Sequence, residues 1–216
     1  MAENKPVFAY WPIRGANRGN VNRYCFAWGG VDFEDKRYNR EQWAEDKANL
    51  GMDFPNIPYV KNGDFYITES KCVTPYICDK FAPDLIGDNP EERARILQIQ
   101  EQLVETGGKW FPQVFSSDER SKIADDGVAN FKKFSDFLGE KQFLTGDKFT
   151  FVDFILWEQI ETVNMLAQDT RIFTAYPNFE AFHNRVKSLP KFAAYLASDK
   201  HIAGPCLPPG LAKIDF

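Results

Sequence analysis

The sequence predicts a protein of two parts, an α/β domain with a mixed sheet followed by an all-helical domain. Three observations predict it. Residues 1–82 alternate between short runs of strand length and segments with helical spacing. Residues 83–89 are rich in turn formers, which is typical of a linker. From residue 90 to residue 216 the apolar side chains follow helical spacing almost throughout.

The first part has the predicted order β-α-β-α-β-β-α. Residues 6–10 are an apolar strand, residues 21–28 a helix stopped by Gly29-Gly30, and residues 32–38 an exposed strand. Residues 40–50 have helical composition, and Asn62-Gly63 is a two-residue hairpin signal between two short strands. A helix opens at Ser70. This order resembles the thioredoxin fold, but residues 10–14 contain no cysteine where that fold carries its redox dithiol, so dithiol chemistry is excluded.

The second part contains several predicted helices. The first begins at Pro90 and carries an apolar stripe that Gly107-Gly108 is expected to loosen or kink. Residues 128–138 form another amphipathic helix. Thr150 and Asp153 form a capping-box variant that opens an unusually apolar helix over residues 151–166. Residues 177–189 and 190–197 are two further helices, and prolines leave the tail extended.

Composition narrows the function classes. The 216 residues carry a net charge of −5 with no basic stripe, so we expect no nucleic-acid partner. No apolar run approaches the length of a membrane span, and the start does not look like a signal peptide. Four cysteines without a Cys-x-x-Cys pair, together with two histidines, predict reduced thiols in a cytosolic protein and no metal site.

Residues 54–70 bring a sheet edge beside a helix N-terminus. Pro58 precedes an apolar strand, and Ser70 starts the helix after the returning strand. The backbone beside Pro58 can pair with an extended peptide, and the amides at Ser70 can bind a carboxylate. An ordinary hairpin followed by a capped helix is the alternative interpretation of the same residues.

Local motifs along the chain favour the first interpretation. From about residue 7 to about residue 196 the sequence resembles the soluble glutathione transferases, above all their mu class. The motifs that carry the resemblance are Tyr10-Trp11 with Ile13-Arg14-Gly15, Arg40 with Gln42-Trp43, Leu50-Gly51 with Asp53-Phe54-Pro55-Asn56, Pro58-Tyr59, Glu69-Ser70, Gly146 with Phe149-Thr150-Phe151-Val152-Asp153-Phe154, and Tyr176-Pro177-Asn178.

The resemblance implies a cytoplasmic homodimer that adds the sulfur of glutathione to hydrophobic electrophiles in detoxification. Tyr10 would be the catalytic residue, because a hydrogen bond from its hydroxyl to the sulfur favours the thiolate. Glutathione would be a co-substrate, with no metal involved. Its binding residues would be Trp11, Arg40, Trp43, Lys47, Asn56, Ile57, Pro58, Glu69, Ser70 and, from the neighbouring subunit, Glu105.

The resemblance also implies which residues would bind each part of glutathione. Ser70 would bind the γ-glutamyl carboxylate and Glu69 the ammonium group. Ile57 would pair its backbone with the cysteinyl unit beside a cis proline. Trp43 and Lys47 would reach the glycyl carboxylate; an exposed amphipathic helix face is the alternative for these two residues.

The electrophile would lie against Trp11, Ala16 and Phe115, with the C-terminal tail as a candidate lid. Phe115 stands where many mu enzymes have a tyrosine that assists epoxide opening. Phe54 resembles an aromatic residue that inserts between helices of the partner subunit at the dimer interface. Packing within the core of its own subunit is the alternative for Phe54.

Several residues depart from the mu pattern. Pro12 stands in place of an aspartate, Lys71 in place of an asparagine, and Glu69 in place of a glutamine. A divergent mu-like or sigma-like enzyme therefore fits best. Two other functions remain open: a non-catalytic structural or ligand-carrier protein with this fold, and a glutathione-dependent isomerase of the prostaglandin-synthase type.

Overall fold

The computed structural model describes residues 5–14 and 18–216. The first domain follows the predicted order. Its elements are β1 (Val7–Tyr10), α1 (Asn20–Trp28), β2 (Glu34–Arg37), α2 (Arg40–Lys47), β3 (Tyr59–Asn62), β4 (Phe65–Thr68) and α3 (Ser70–Phe81).

The four strands form one mixed sheet in the order β2-β1-β3-β4. β1 is parallel to β2 and antiparallel to β3, and β4 is antiparallel to β3. A parallel pair needs a crossover, and α1 supplies it. The sheet and helix order confirm the predicted thioredoxin-like fold.

The hairpin turn lies one residue later than the sequence pattern predicted. Asn62 pairs with Phe65, so the two turn residues are Gly63 and Asp64 rather than Asn62 and Gly63. Gly63 has a φ of 62°, which a residue without Cβ adopts at little cost at the first central position of a tight hairpin. The pairing brings the start of β3, just after Pro58, beside the end of β4, just before Glu69.

The second domain is helical, as predicted. After a 3-10 turn at Pro83–Leu85, its helices are α4 (Pro90–Trp110), α5 (Arg120–Asn130), α6 (Lys132–Leu138), α7 (Phe151–Ala167), α8 (Arg171–Ala175), α9 (Pro177–Lys187) and α10 (Pro190–Leu196).

One prediction about these helices was wrong. Residues 128–138 are not one helix, because the chain tightens at Phe131: its N–H bonds to the carbonyl of Val128, and its own carbonyl accepts from Phe134. Burial of the Phe131 ring against Phe134 and Phe179 fixes this break. The Gly107-Gly108 pair lies inside α4, which continues to Trp110, and the expected loosening or kink at this pair stays a prediction. Packing of its neighbours Leu103 and Trp110, both fully buried, offsets a cost of about 1 kcal/mol per glycine.

The capping box at the start of α7 is present. The Asp153 carboxylate accepts from the backbone N–H groups of Thr150 and Leu144, both at 2.8 Å. α7 is the central helix of the second domain, with thirteen of its seventeen residues buried. Within residues 5–14 and 18–216, no helix combines the length and the apolar character needed to cross a membrane.

Candidate functional site

A cavity of about 410 Å³ lies between the two domains, and Tyr10 at the end of β1 lines it. Ser70 at the start of α3 and Phe115 beyond α4 line the same cavity. The structure therefore brings together three of the residues singled out in the sequence, although up to 105 positions separate them along the chain.

Tyr10 is almost completely buried in the wall of the cavity. Its side chain is 7% exposed, and burial raises the pKa of the phenol above its ordinary value, while the positive charges of Arg18 and Arg23 offset part of this rise. The hydroxyl therefore keeps its proton at neutral pH. A protonated phenol can donate to an anion in the cavity.

The start of α3 forms one wall of the site. Glu69 has a φ of 67°, a strained value for a residue with a side chain, directly before the first helical residue Ser70. The side-chain amide of Asn56 donates to the Glu69 carboxylate at 3.0 Å. The peptide bond between Ile57 and Pro58 is cis. Asn56, Pro58, Glu69 and Ser70 thus converge where the two strands of the hairpin meet α3.

Trp11, Trp43 and Ile57 come together on one side of the sheet. Each packs against a small buried cluster formed by Ala9, Tyr38 and Tyr59. Lys47 lies one turn after Trp43 on α2, with its ammonium group 5.9 Å from the centre of the Trp43 ring. Lys47 and Arg40 are exposed and lie outside the lining of the cavity. Both interpretations of this helix face remain compatible with these positions.

One side of the cavity is apolar. Phe111, Ile155 and Phe115 line it, together with Leu207 from the C-terminal tail. A hydrogen bond of 2.9 Å from the Lys213 N–H to the Val114 carbonyl holds the tail against this wall. Ala16, the remaining predicted residue of this wall, lies outside the described residues.

Two residues that were predicted to act across the subunit boundary lie outside the lining of this cavity. Glu105 on α4 is half exposed and forms an ion pair of 2.7 Å with Lys109, which lowers the pKa of its carboxyl. Phe54 is 77% exposed, so it does not pack into the core of its own subunit, and that alternative is excluded.

Comparisons with known proteins agree with this architecture. Residues 6–79 match the family model described as the glutathione S-transferase N-terminal domain, and residues 109–199 match a C-terminal domain of the same family. A glutathione S-transferase of Tyrophagus putrescentiae is 32% identical over 91% of this chain and 92% of the relative. Human glutathione S-transferase Mu 3 is also 32% identical, over 92% of this chain and 90% of the relative.

The chain belongs to the glutathione S-transferase family. The crystal structure of the glutathione S-transferase Blo t 8 superposes with a TM-score of 0.84 at 25% identity, covering 97% of this chain and all of that one. The predicted family, the predicted fold and the predicted enzyme type, a glutathione transferase, are therefore confirmed.

The sequence patterns missed a buried network that joins the two domains of this transferase. The Arg14 guanidinium donates to the Glu158 carboxylate at 2.6 Å, and the Tyr24 hydroxyl donates to the same carboxylate at 2.7 Å. Burial by itself lowers the pKa of Arg14, and the charge of Glu158 more than offsets this, so the pKa lies above its ordinary value. Arg14 also contacts the tail, through its N–H to Pro205 and its side chain to Ala203.

A second buried arginine holds the segment that follows Tyr10. Arg23, on α1, donates to the carbonyls of Trp11 and Ile13 and forms an ion pair of 3.0 Å with Asp35. Arg14 and Arg23 therefore fix residues 11–14 from both sides. Arg14 belongs to one of the motifs quoted above, but no local pattern around Arg14 or Arg23 indicates an ion-pair partner.

The cavity also contains polar residues to which the sequence assigned no role in binding. Lys71 is paired with Glu101, while Arg18, Gln100 and Gln159 line the cavity. Nowhere in the described part of the chain do three or more His, Cys, Asp or Glu side chains come together as candidate metal ligands.

Proposed function

We propose that this protein is a cytoplasmic, homodimeric glutathione transferase that uses Tyr10 to stabilise the glutathione thiolate and adds it to hydrophobic electrophiles in detoxification. The observation that carries the proposal is the single cavity lined by a buried, protonated Tyr10, by Ser70 at a helix N-terminus, and by an apolar wall. One cavity thus offers a donor for the sulfur and apolar surface for the electrophile.

The hydroxyl of Tyr10 acts by favouring the charged form of the thiol. A free thiol has a pKa near 8.5, and each unit of lowering corresponds to about 1.4 kcal/mol of stabilisation. A neutral phenol in a partly desolvated cavity gives a stronger hydrogen bond to an anion than it gives in water. The remaining barrier falls because thiolate and electrophile are held next to each other.

The residues around the start of α3 suit the charged γ-glutamyl end of the tripeptide. The Ser70 hydroxyl and the Ser70 backbone N–H, at the start of α3, bind its carboxylate. The Glu69 carboxylate, held by Asn56, receives its ammonium group. Ile57 pairs its backbone with the cysteinyl unit, with Pro58 next to it.

The proposal is tested with purified protein and a panel of electrophiles, measured with and without glutathione. We expect conjugation of activated aryl halides that depends on glutathione. Glutathione binding without any conjugation would indicate the carrier or structural function instead. Glutathione-dependent isomerisation without conjugation would indicate the isomerase.

Lys47→Ala is expected to weaken glutathione binding about threefold to tenfold, because a charge-assisted hydrogen bond to the glycyl carboxylate is lost at an exposed position. The pKa of the bound thiol should barely change, since Lys47 lies on α2, away from Tyr10. Isothermal titration measures the affinity, and Lys122→Ala, an exposed lysine of the second domain, is the control. A variant that binds as tightly as the parent would leave this face of α2 to solvent.

Phe54→Ala is expected to weaken the homodimer. A phenylalanine that is 77% exposed in one subunit gains its burial from the partner, and truncation of a packed aromatic typically costs about 3–5 kcal/mol. Because Asn56 and Pro58 follow directly, activity should fall as the dimer dissociates.

Sedimentation velocity over a dilution series, paired with activity at each concentration, measures the effect of Phe54→Ala. Phe65→Ala, which truncates an exposed phenylalanine on the β3–β4 hairpin, is the matched control. A Phe54→Ala protein that stays dimeric at the lowest concentration would contradict the role of Phe54.

Phe115→Tyr is expected to raise epoxide opening several-fold and to leave aryl substitution nearly unchanged. Phe115 lines the cavity but cannot donate a hydrogen bond to a developing alkoxide, whereas negative charge in aryl substitution spreads over the ring. The ratio of the two activities in parent and variant is the measurement. An unchanged ratio would mean that another donor already serves the epoxide oxygen.

A further inference from the structure

Arg18 adds a positive charge to the cavity wall that no described residue neutralises. Its carbonyl accepts from the Asn22 side chain at 3.0 Å, but its guanidinium forms no ion pair or hydrogen bond within residues 5–14 and 18–216. The buried arginines Arg14 and Arg23, by contrast, are both paired with carboxylates. Arg18 is exposed, so its guanidinium is open to a ligand that enters the cavity.

The guanidinium of Arg18 lies close to the phenol of Tyr10. Gly19, the next residue, packs so tightly on Tyr10 that a Cβ at this position would lie 2.9 Å from the Cδ1 atom of the ring. Burial raises the pKa of the Tyr10 phenol, and the charge of Arg18 offsets more of this rise than the charge of Arg23 does. Since charges interact strongly only at short range, Arg18 is near the reacting centre.

The ionisable groups that line the cavity on both sides of Tyr10 are positively charged. Arg18 and Lys71 belong to the lining, whereas no Asp or Glu among the described residues does. Lys71 is paired with Glu101, so Arg18 is the cation that remains for an anionic ligand. The whole chain carries a net charge of −5, so this local excess is not a general property of the protein. A cavity lined by one sign of charge concentrates ligands of the opposite sign.

Arg18 lies on the side of the cavity to which the C-terminal tail contributes. Asn20, two residues later at the start of α1, donates from its side-chain amide to the Ile202 carbonyl at 2.8 Å. The tail continues from there to Leu207, on the apolar side of the cavity. The proposed function places the charged ends of glutathione at α2 and at the start of α3. An electrophile is therefore the ligand that we expect to meet Arg18.

We propose that Arg18 makes this transferase selective for electrophiles that carry a carboxylate group. The guanidinium donates hydrogen bonds to the carboxylate, while Phe111, Ile155 and Leu207 hold the apolar body of the substrate. A carboxylate on the electrophile repels the glutathione thiolate, and the adjacent guanidinium offsets this repulsion. The inference rests on the proposed function and adds its substrate class.

The exposure of Arg18 sets the expected size of the selectivity. Ion pairs at exposed positions contribute little because water screens them, whereas charge-assisted hydrogen bonds from an arginine are stronger. We expect the carboxylate substrate to be preferred about 3- to 10-fold in kcat/KM over a neutral analogue of the same shape. The preference should become smaller at high ionic strength, since salt screens an exposed charge.

The test compares 4-chloro-3,5-dinitrobenzoate with 4-chloro-3,5-dinitrobenzamide, two aryl chlorides of nearly the same shape, with glutathione and the full-length protein at neutral pH. Each kcat/KM is divided by the rate constant of the uncatalysed reaction with glutathione, which removes the difference in intrinsic reactivity. The parent should prefer the benzoate, Arg18→Gln should bring the corrected ratio close to one, and Arg18→Lys, which keeps the charge, should retain part of the preference. Arg95→Gln, which removes an exposed arginine outside the lining of the cavity, should keep the ratio of the parent.

The outcomes separate the inference from the proposed function. A corrected ratio close to one in the parent would overturn the inference and would leave the transferase activity established. An unchanged preference in folded Arg18→Gln would overturn the role of Arg18, and an equal slowing of both substrates would assign Arg18 to glutathione instead. No conjugation of either substrate would overturn the proposed function itself. The comparison in the parent requires no variant, so it stands even if Arg18→Gln does not fold.

Discussion

Tyr10→Phe is expected to lower kcat/KM at neutral pH by about 100-fold, with the fold and most of the glutathione affinity retained. Removing one preorganised donor from a reacting anion typically costs about 10²–10³ in rate. The substitution takes away a single hydroxyl and keeps the buried ring, so the packing of β1 is preserved. The loss falls on the charged form of the thiol, whose pKa should rise towards about 8.5.

Because the pKa of the bound thiol should rise in the variant, the effect of the substitution depends on pH. In the parent, the thiolate is expected to be formed already at neutral pH. In the variant, it should form only as the pH approaches the pKa of a free thiol. The difference in kcat/KM between parent and variant should therefore become smaller as the pH rises. Ultraviolet difference spectra of the bound thiolate, recorded from pH 5 to pH 9, measure both titrations.

A matched variant distinguishes the effect on the thiolate titration from the effect of removing any tyrosine hydroxyl. Tyr66→Phe removes a hydroxyl from β4, outside the lining of the cavity, and should leave the titration where it is in the parent. If Tyr10→Phe also leaves the thiolate titration unchanged, Tyr10 does not contact the sulfur.

Glu158→Leu is expected to destabilise the folded protein by about 3–5 kcal/mol, because it leaves the guanidinium of Arg14 buried without its main counter-charge. Arg14 and Glu158 are both nearly inaccessible to solvent. Glu161, 3.7 Å from Arg14 and partly exposed, compensates only in part. For a protein of this size the melting temperature should fall by roughly 10 °C.

Chemical and thermal unfolding of Glu158→Leu measure the loss. The double variant Arg14→Met/Glu158→Leu should recover most of it, since replacing a buried pair with apolar residues is often close to neutral. Glu161→Gln is the control and should cost much less. A double variant that loses the sum of both single losses would show that the two residues are not coupled.

This pair also connects stability with the site. Arg14 follows Tyr10 by four residues, and its N–H donates to Pro205 at 2.9 Å, two residues before Leu207. Loss of Glu158 is therefore expected to loosen the segment after Tyr10 and the tail that lines the apolar side of the cavity. We expect KM for the electrophile to rise more than KM for glutathione.

Much of the fold could be predicted from local patterns. The strand and helix order of the first domain follows from periods of two and 3.6 residues and from the punctuation by glycine and proline. The start of α7 follows from Thr150 and Asp153, because a capping box acts over a single turn. These features depend on residues within one turn or one hairpin of each other. Over that short range, a local sequence pattern is enough to predict the structure.

Part of the candidate site could also be predicted from the sequence. Tyr10 and Ser70 were singled out from motifs, and Phe115 from its position in the second domain; all three line one cavity. The spacing of Trp43 and Lys47 was correct for one helix face, but the pattern left open what that face meets. Composition gave no hint that Phe54 would remain 77% exposed in the single chain, because exposure depends on which surfaces are nearby.

Only the tertiary structure decided which polar residues act together. Arg14 and Glu158 are 144 positions apart, and neither has a local partner that predicts the ion pair. Gln159 looks like one polar residue in an apolar helix until α4 is packed against it and its amide meets the Leu103 carbonyl. The break at Phe131 likewise follows from the burial of one ring among Phe134 and Phe179. The free energy of a buried charge or amide is set by the groups that surround it in space, and chain packing alone brings those groups together.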